Sequence, residues 1–257
     1  DGENILAVGE PAELLLAHPE ADLLDAGGKA VLPGLVDPHT HLVWAGDRLD
    51  EFEMRLQGKS YLEIMAAGGG IAATLQATRA ASFEELLAQT RERAHIAFAH
   101  GTTTLEAKTG YGLDVETELR QLEVILKLDE EGPLELIPTY LGAHAIPPEF
   151  AGNAEGYTDF LCSEALPAVQ AWWQEHAPAR QLPFVDVFCE EGVFDLAQTR
   201  RILLRAQELG FPLKLHADEF ANLGGAGLAA ELGAISADHL VKTSAEDIQK
   251  LAESNTV

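Results

Sequence analysis

At 257 residues the chain is long enough for one large α/β domain, or a domain with part of another, and its 47% hydrophobic residues can build a substantial core. A net charge of -25 argues against a nucleic-acid partner, which needs clustered Lys and Arg, and reads as a solvated acidic surface suited to salt. Two cysteines, Cys162 and Cys189, exclude a disulfide scaffold and a Cys-rich zinc module and fit a reducing, cytoplasmic setting, and no apolar run approaches membrane-spanning length.

Residues 1–33 read as a small, Gly- and Asp-punctuated first region. It holds a strand-like piece, Ile5-Leu6-Ala7-Val8-Gly9, and one helical piece near 11–18. The chain opens at Asp1 without a Met or a leader pattern, and it stops at Asn255-Thr256-Val257, where Thr-Val reads as a strand beginning. An internal segment of a longer protein is the expectation.

The next run, Leu32-Pro33-Gly34-Leu35-Val36-Asp37, leads into Pro38-His39-Thr40-His41. Alternate side chains of a strand share a face, so His39 and His41 would point the same way and could grip one metal ion. The Pro33-Gly34 and Asp37-Pro38 pairs also carry turn chemistry, and a polar turn holding two histidines is the competing reading.

Further along, Gly68-Gly69-Gly70-Ile71 reads as a loop leading into a helix and lacks the Lys-Ser/Thr of a P-loop. Ser82 with Glu85 is a capping-box pattern ahead of an amphipathic stretch that ends at Gly101. The β-branched run 102–106 follows, then Glu106-Ala107-Lys108-Thr109-Gly110-Tyr111-Gly112, whose Gly-Tyr-Gly can present an aromatic hydroxyl. Residues 134–141, 184–188, 212–215 and 234–236 are further short apolar segments; Asp195 with Gln198 and Ser244 with Asp247 open helices among them. Strands alternating with helices predict a parallel sheet with helical crossovers, a (β/α)8 barrel or, alternatively, an open doubly wound sheet. There is no G-x-G-x-x-G fingerprint after a first strand.

The nine histidines sort into two groups. His18, His95, His100 and His176 lie within or beside helical patterns and read as surface or helix-end residues. His39, His41, His144, His216 and His239 fall at the downstream ends of predicted strands, where barrel enzymes build their active sites. One such histidine could be structural; five on four strands point to a site. His216-Ala217-Asp218-Glu219 adds two carboxylates, with Glu219 the better general-base candidate and Asp218 read as a loop or cap residue. Arg48 could bind a substrate carboxylate through its planar fork, although an exposed Arg is more often simply solvated. Tyr111 reads equally well as a packed loop aromatic.

These blocks resemble the amidohydrolase superfamily and, within it, the imidazolonepropionase family. The resemblance rests on Pro-Gly-Leu-Val-Asp-Pro-His-Thr-His at 33–41, Ala-Gly-Asp-Arg at 45–48 and Gly-Gly-Gly-Ile at 68–71. Lys-Thr-Gly-Tyr-Gly-Leu-Asp at 108–114, Leu-Gly-Ala-His-Ala at 141–145, His-Ala-Asp-Glu-Phe at 216–220 and Asp-His-Leu at 238–240 continue it. It implies a TIM-type barrel over 34–257 with about six of eight strand-helix units, incomplete at the C-terminus, and a partial β-sandwich over 1–33. It implies one divalent or trivalent metal ion, zinc or iron, on His39, His41 and His216. Glu219 and His239 become catalytic, and Arg48, Tyr111, His144 and Glu219 become substrate contacts. The implied reaction opens the ring of 4-imidazolone-5-propanoate to N-formimino-L-glutamate, in a cytoplasmic homodimer that needs no nucleic acid or membrane. The family's last metal ligand, an Asp after the final barrel strand, and the substrate-contacting Asn near it have no counterpart here. The alternatives are a related ring deaminase, which needs no carboxylate clamp, and a non-catalytic metal- or ligand-binding barrel, which needs no proton shuttle.

Overall fold

The computed structural model describes residues 4–60, 63 and 69–257. The chain divides into two units, Asp1–Pro33 and Gly34–Val257. Among the described residues of the first unit there is one helix, Pro11–Ala17, and no strand. A strand exists only through its neighbour's hydrogen bonds, and residues 5–9 find no ladder partner in this unit. The β-sandwich expected over 1–33 is thus not seen.

The second unit is organised by six strands: β1 (Leu35–Asp37), β2 (Thr102–Lys108), β3 (Glu135–Ala143), β4 (Phe184–Cys189), β5 (Lys214–Ala217) and β6 (Ser236–His239). They lie side by side in sequence order, and every neighbouring pair is parallel. A doubly wound sheet would reverse its strand order part-way; this one never does, so the sheet is a half-barrel. Helices connect the strands, and their starts follow from side-chain chemistry. Ser82 and Glu85 form a reciprocal capping box on Phe83–Ala99, and Asp195 with Gln198 does the same on Leu196–Glu208. Ser244 accepts from the Asp247 N–H to open Ala245–Ala252. The triple-glycine loop lies partly outside the described residues, but Ile71–Ala80 is the helix it was expected to precede.

The middle strands are the buried ones. Leu105, Ala107, Leu136, Leu141, Val185, Val187 and Leu215 are buried beneath the outer helices, the arrangement of a sheet covered by crossovers. The two edge strands are different. Leu35 and Val36 of β1, and Ile235 and Val241 flanking β6, are large apolar residues more than half exposed. Val257 exchanges backbone hydrogen bonds with Ile235 and Ala237 along the outer edge of β6, as the strand-like reading of Thr256-Val257 anticipates.

Candidate active site

All the candidate residues gather at the C-terminal ends of the strands, where open valleys between βα loops form naturally. β1 itself is only three residues long, so His39 and His41 lie just past it rather than on it. Their segment stays extended beside β2 because the Thr40 carbonyl accepts the Lys108 N–H at 3.0 Å and the Thr40 hydroxyl bonds the Glu106 carbonyl. His216 stands on β5 and His239 ends β6, while Tyr111, His144 and Glu219 follow β2, β3 and β5.

The five strand-end histidines converge. Ring centroids are 4.6 Å apart for His39 and His216, 4.9 Å for His39 and His239, and 5.0 Å for His216 and His239. His41 stacks on His144 at 4.8 Å, and Tyr111 packs edge-on against His144 at 5.2 Å. The four helix-associated histidines stay with their helices. His100 and His176, for example, bond the carbonyls of Ile96 and Trp172, four residues earlier.

Hydrogen bonds decide which ring nitrogen of each histidine is available. A carboxylate or carbonyl only accepts, so the nitrogen facing it carries the proton and the other keeps its lone pair. His39 Nδ1 donates to Asp238 Oδ2 at 2.8 Å, and His144 Nδ1 donates to the Gly110 carbonyl at 2.9 Å. His216 Nδ1 lies 2.8 Å from Asp186 Oδ2, close but off the ideal hydrogen-bond line. Gly110 is required where it is. Its φ is +106°, and a Cβ there would lie 2.8 Å from the Leu141 carbonyl.

What remains is a set of imidazole nitrogens turned toward one another. The Nε2 atoms of His41 and His216 are 3.4 Å apart, and the buried His41 Nδ1 has no partner. Two nitrogens held at ~2.0–2.1 Å by a tetrahedral ion are about 3.3–3.4 Å apart, so this pair fits a metal. One nitrogen from each of His39, His216 and His239 also lies within 4.8 Å of the others. The expected trio uses His41 where this compact trio uses His239; the structure holds both around His216. Two other groupings, His39–Glu106–Asp238 and Asp186–His216–Asp238, could also hold an ion. Their carboxylates are already paired with the ammonium groups of Lys108 and Lys214, which leaves little for an ion to gain there.

Burial favours the neutral form of His41, His144 and His239. It lowers His144 to about 4, with His216 adding to the effect, and the same causes with His39 bring His239 to about 4. Burial and then His144 hold His41 well below its ordinary value. A neutral imidazole is the form that ligates a metal. Glu219 moves the other way, raised by burial, and its Oε2 lies 3.5 Å from His239 Nε2. The backbone is strained at the same place: Asp218, His239 and Leu240 have φ of 54°, 76° and 57°. Left-handed non-glycine residues cost ~1–2 kcal/mol each and cluster at functional sites.

Three further residues support the candidates, two of them, Glu190 and Glu51, passed over in the sequence. Glu190, at the end of β4, accepts the Phe220 and Ala221 N–H groups at 2.9 and 3.0 Å and so ties down the loop carrying Glu219. Asp218 is buried and accepts from Leu223, Gly225 and Thr243, which makes it the loop and cap residue expected. Glu51 grips Arg48 through two bonds of 2.8 and 2.6 Å and also accepts the Gly70 N–H. Burial raises the Tyr111 hydroxyl above its ordinary value, and the Arg48 charge opposes that rise.

No family model matches the chain. Curated relatives do. The chain is 55% identical to an imidazolonepropionase of Herpetosiphon aurantiacus over 99% of its length and 59% of the relative. It is 52% identical to that of Symbiobacterium thermophilum (99% and 59%) and 50% identical to that of Halobacterium salinarum (97% and 58%). The chain thus spans about three fifths of the length of these relatives. Solved structures share the fold at low identity. A 5-methylcytosine deaminase of Klebsiella pneumoniae matches at 16% identity and TM-score 0.61, over 92% of this chain and 56% of that one. An adenine deaminase of Arthrobacter aurescens matches at 15% and 0.51, over 86% and 70%. About half of its residues are identical to these enzymes across nearly its whole length, so the chain is similar to imidazolonepropionases over the three fifths of them that it spans.

Proposed function

We propose that this chain supplies most of the active site of a hydrolase that opens 4-imidazolone-5-propanoate to N-formimino-L-glutamate. The observation that carries the proposal is the meeting of His39, His41, His216 and His239 beside Glu219, with two Nε2 atoms at metal-ligand spacing. His39, His41 and His216 would hold one ion, zinc or iron, both of which accept imidazole nitrogen. When bound, such an ion supplies an activated water and polarises a carbonyl. The fold reading that goes with it is a (β/α)8 TIM-type barrel, whose remaining strands would cover the exposed apolar edges at Leu35–Val36 and Ile235, with 1–33 part of a small β-sandwich.

Glu219 takes the proton of the attacking water and passes it to the ring nitrogen as the amide C–N bond breaks. Its raised pKa suits that double duty. His239, neutral and in reach of Glu219, orients the water or donates to the developing oxyanion. Arg48, steadied by Glu51, pairs with the propionate tail, and Tyr111 and His144 line the ring. The enzyme works as a homodimer in the cytoplasm.

The test is an assay of the intact protein on imidazolone propionate with and without a chelator. Chelator-sensitive formation of formimino-glutamate without ammonia release is expected. Ammonia release would favour the ring-deaminase alternative, and metal binding without turnover would favour a binding barrel.

A further inference from the structure

Inside the half-barrel, next to the histidines, lies a charged layer that neither the sequence reading nor the proposed chemistry uses. Two ammonium groups, Lys108 and Lys214, face three carboxylates, Glu106, Asp186 and Asp238. Lys108 and Asp186 are fully buried. Alternation on the strands puts these groups on the inner face together with His216.

Two of the carboxylates hold histidines. Asp238 Oδ2 accepts from His39 Nδ1 at 2.8 Å. Asp186 takes hold of His216 twice: Oδ2 lies 2.8 Å from Nδ1, and Oδ1 accepts the His216 backbone N–H at 3.1 Å. Both contacts turn an Nε2 lone pair toward the site. Lys108 Nζ lies 2.7 Å from Asp186 Oδ2 and 3.5 Å from Asp238 Oδ2. Among the described residues it is the cation within 4 Å of both; Lys214 reaches Asp238 and Glu106, and bonds the Pro38 carbonyl.

We propose that Lys108 is a positioning residue for the metal centre: its one buried ammonium ties together the two carboxylates that orient His39 and His216, and so sets the relation between the two imidazoles. The proposal rests on reading those histidines as metal ligands. The physical case is simple. Without Lys108, Asp186 loses its lysine partner in a site closed to water, and Asp186 and Asp238 would repel each other across the gap it fills. Each carboxylate would then move, and the imidazole it holds would turn with it. Partners of this kind orient ligands and contribute 10–100-fold to metal affinity.

The experiment measures Co(II) binding to the intact protein, by chelator competition and by the visible spectrum at saturation. Lys108→Met is expected to weaken binding about 10–100-fold and to change the saturated spectrum, because the ligands are misplaced as well as weakened. Lys108→Arg, which keeps the charge, should recover part of the affinity. Lys108→Met/Glu106→Gln removes one charge of each sign from the layer and carries the same expectation, so a single variant that fails to fold leaves the test intact. Wild-type protein that binds no Co(II) overturns the ligand reading itself. Wild-type binding with unaltered affinity and spectrum in the Lys108 variants overturns the role of Lys108 alone.

Discussion

The Nε2 atoms of His41 and His216 face each other at 3.4 Å. His216 Nδ1 is directed to Asp186, which leaves its Nε2 as a lone pair, and burial keeps His41 neutral. A cation between the two nitrogens satisfies both. Stripping the protein with a chelator should therefore abolish turnover and lower Tm, and zinc or iron should restore both. An ion present at a hundred times its Kd contributes about 2.7 kcal/mol by mass action. Identical melting curves with and without chelator would rule out a bound ion here.

Glu219→Gln should leave metal content intact and cost about 10²–10⁴ in kcat, since the amide keeps the shape but cannot accept the proton. Metal analysis alongside kcat separates this from loss of the ion. Near-normal kcat with full metal removes Glu219 from the mechanism.

Glu190 acts on the same step indirectly. Its two oxygens anchor the backbone at Phe220 and Ala221, so Glu190→Ala should free the loop beside Glu219. The expected result is a fall in kcat larger than any rise in KM, with metal affinity unchanged, because the substrate anchor is on another loop and His216 and His239 are held on β5 and β6. A variant that loses metal in proportion to activity would show that the clamp supports the whole site instead.

Much of this arrangement is legible in the sequence because it depends on short local patterns. The five strand-end histidines each follow a short apolar run, and the caps at Ser82, Asp195 and Ser244 are written within four residues. The supporting groups are not legible for the opposite reason. Lys108 meets Asp186, 78 positions away, only in the fold, and Glu190 meets the N–H groups of Phe220 and Ala221, 30 and 31 positions on, in the same way. The strand expected at 5–9 fails as well, since a strand signal cannot supply its own partner.

The neutral histidines predict a pH dependence of stability. His144 has a folded value of about 4 against an ordinary value of 6.5. Between those values the unfolded chain binds a proton that the folded chain refuses, so stability must fall as pH drops from 6.5 toward 4. The slope is at most about 1.4 kcal/mol per pH unit for each such proton, and His239 adds in the same direction, reduced by its exposure. Urea unfolding of metal-free protein across this range measures it. His144→Gln should flatten the slope by up to one proton, and an unchanged slope would show that His144 protonates normally in the fold.

Arg48 gives the test of substrate identity. Imidazolone propionate carries a carboxylate that many ring substrates lack, and a charge-assisted pair with a guanidinium is worth ~1.5–3 kcal/mol, or about ten- to a hundredfold in binding. Arg48→Met keeps much of the volume and removes the charge and every donor, so KM for the propionate should rise by that factor with metal content unaltered. Glu51 sharpens the expectation. It holds Nε and Nη2 of Arg48 and the Gly70 N–H at once, so the guanidinium is presented in a fixed plane. Glu51→Gln should loosen that plane and raise KM by a smaller factor, while Arg48→Lys should rescue only in part, because an ammonium cannot reproduce the fork. Whatever happens to kcat, KM should rank Arg48→Met above Arg48→Lys and Glu51→Gln. Equal KM in all three and in wild type would place the propionate elsewhere and bring the ring-deaminase alternative forward.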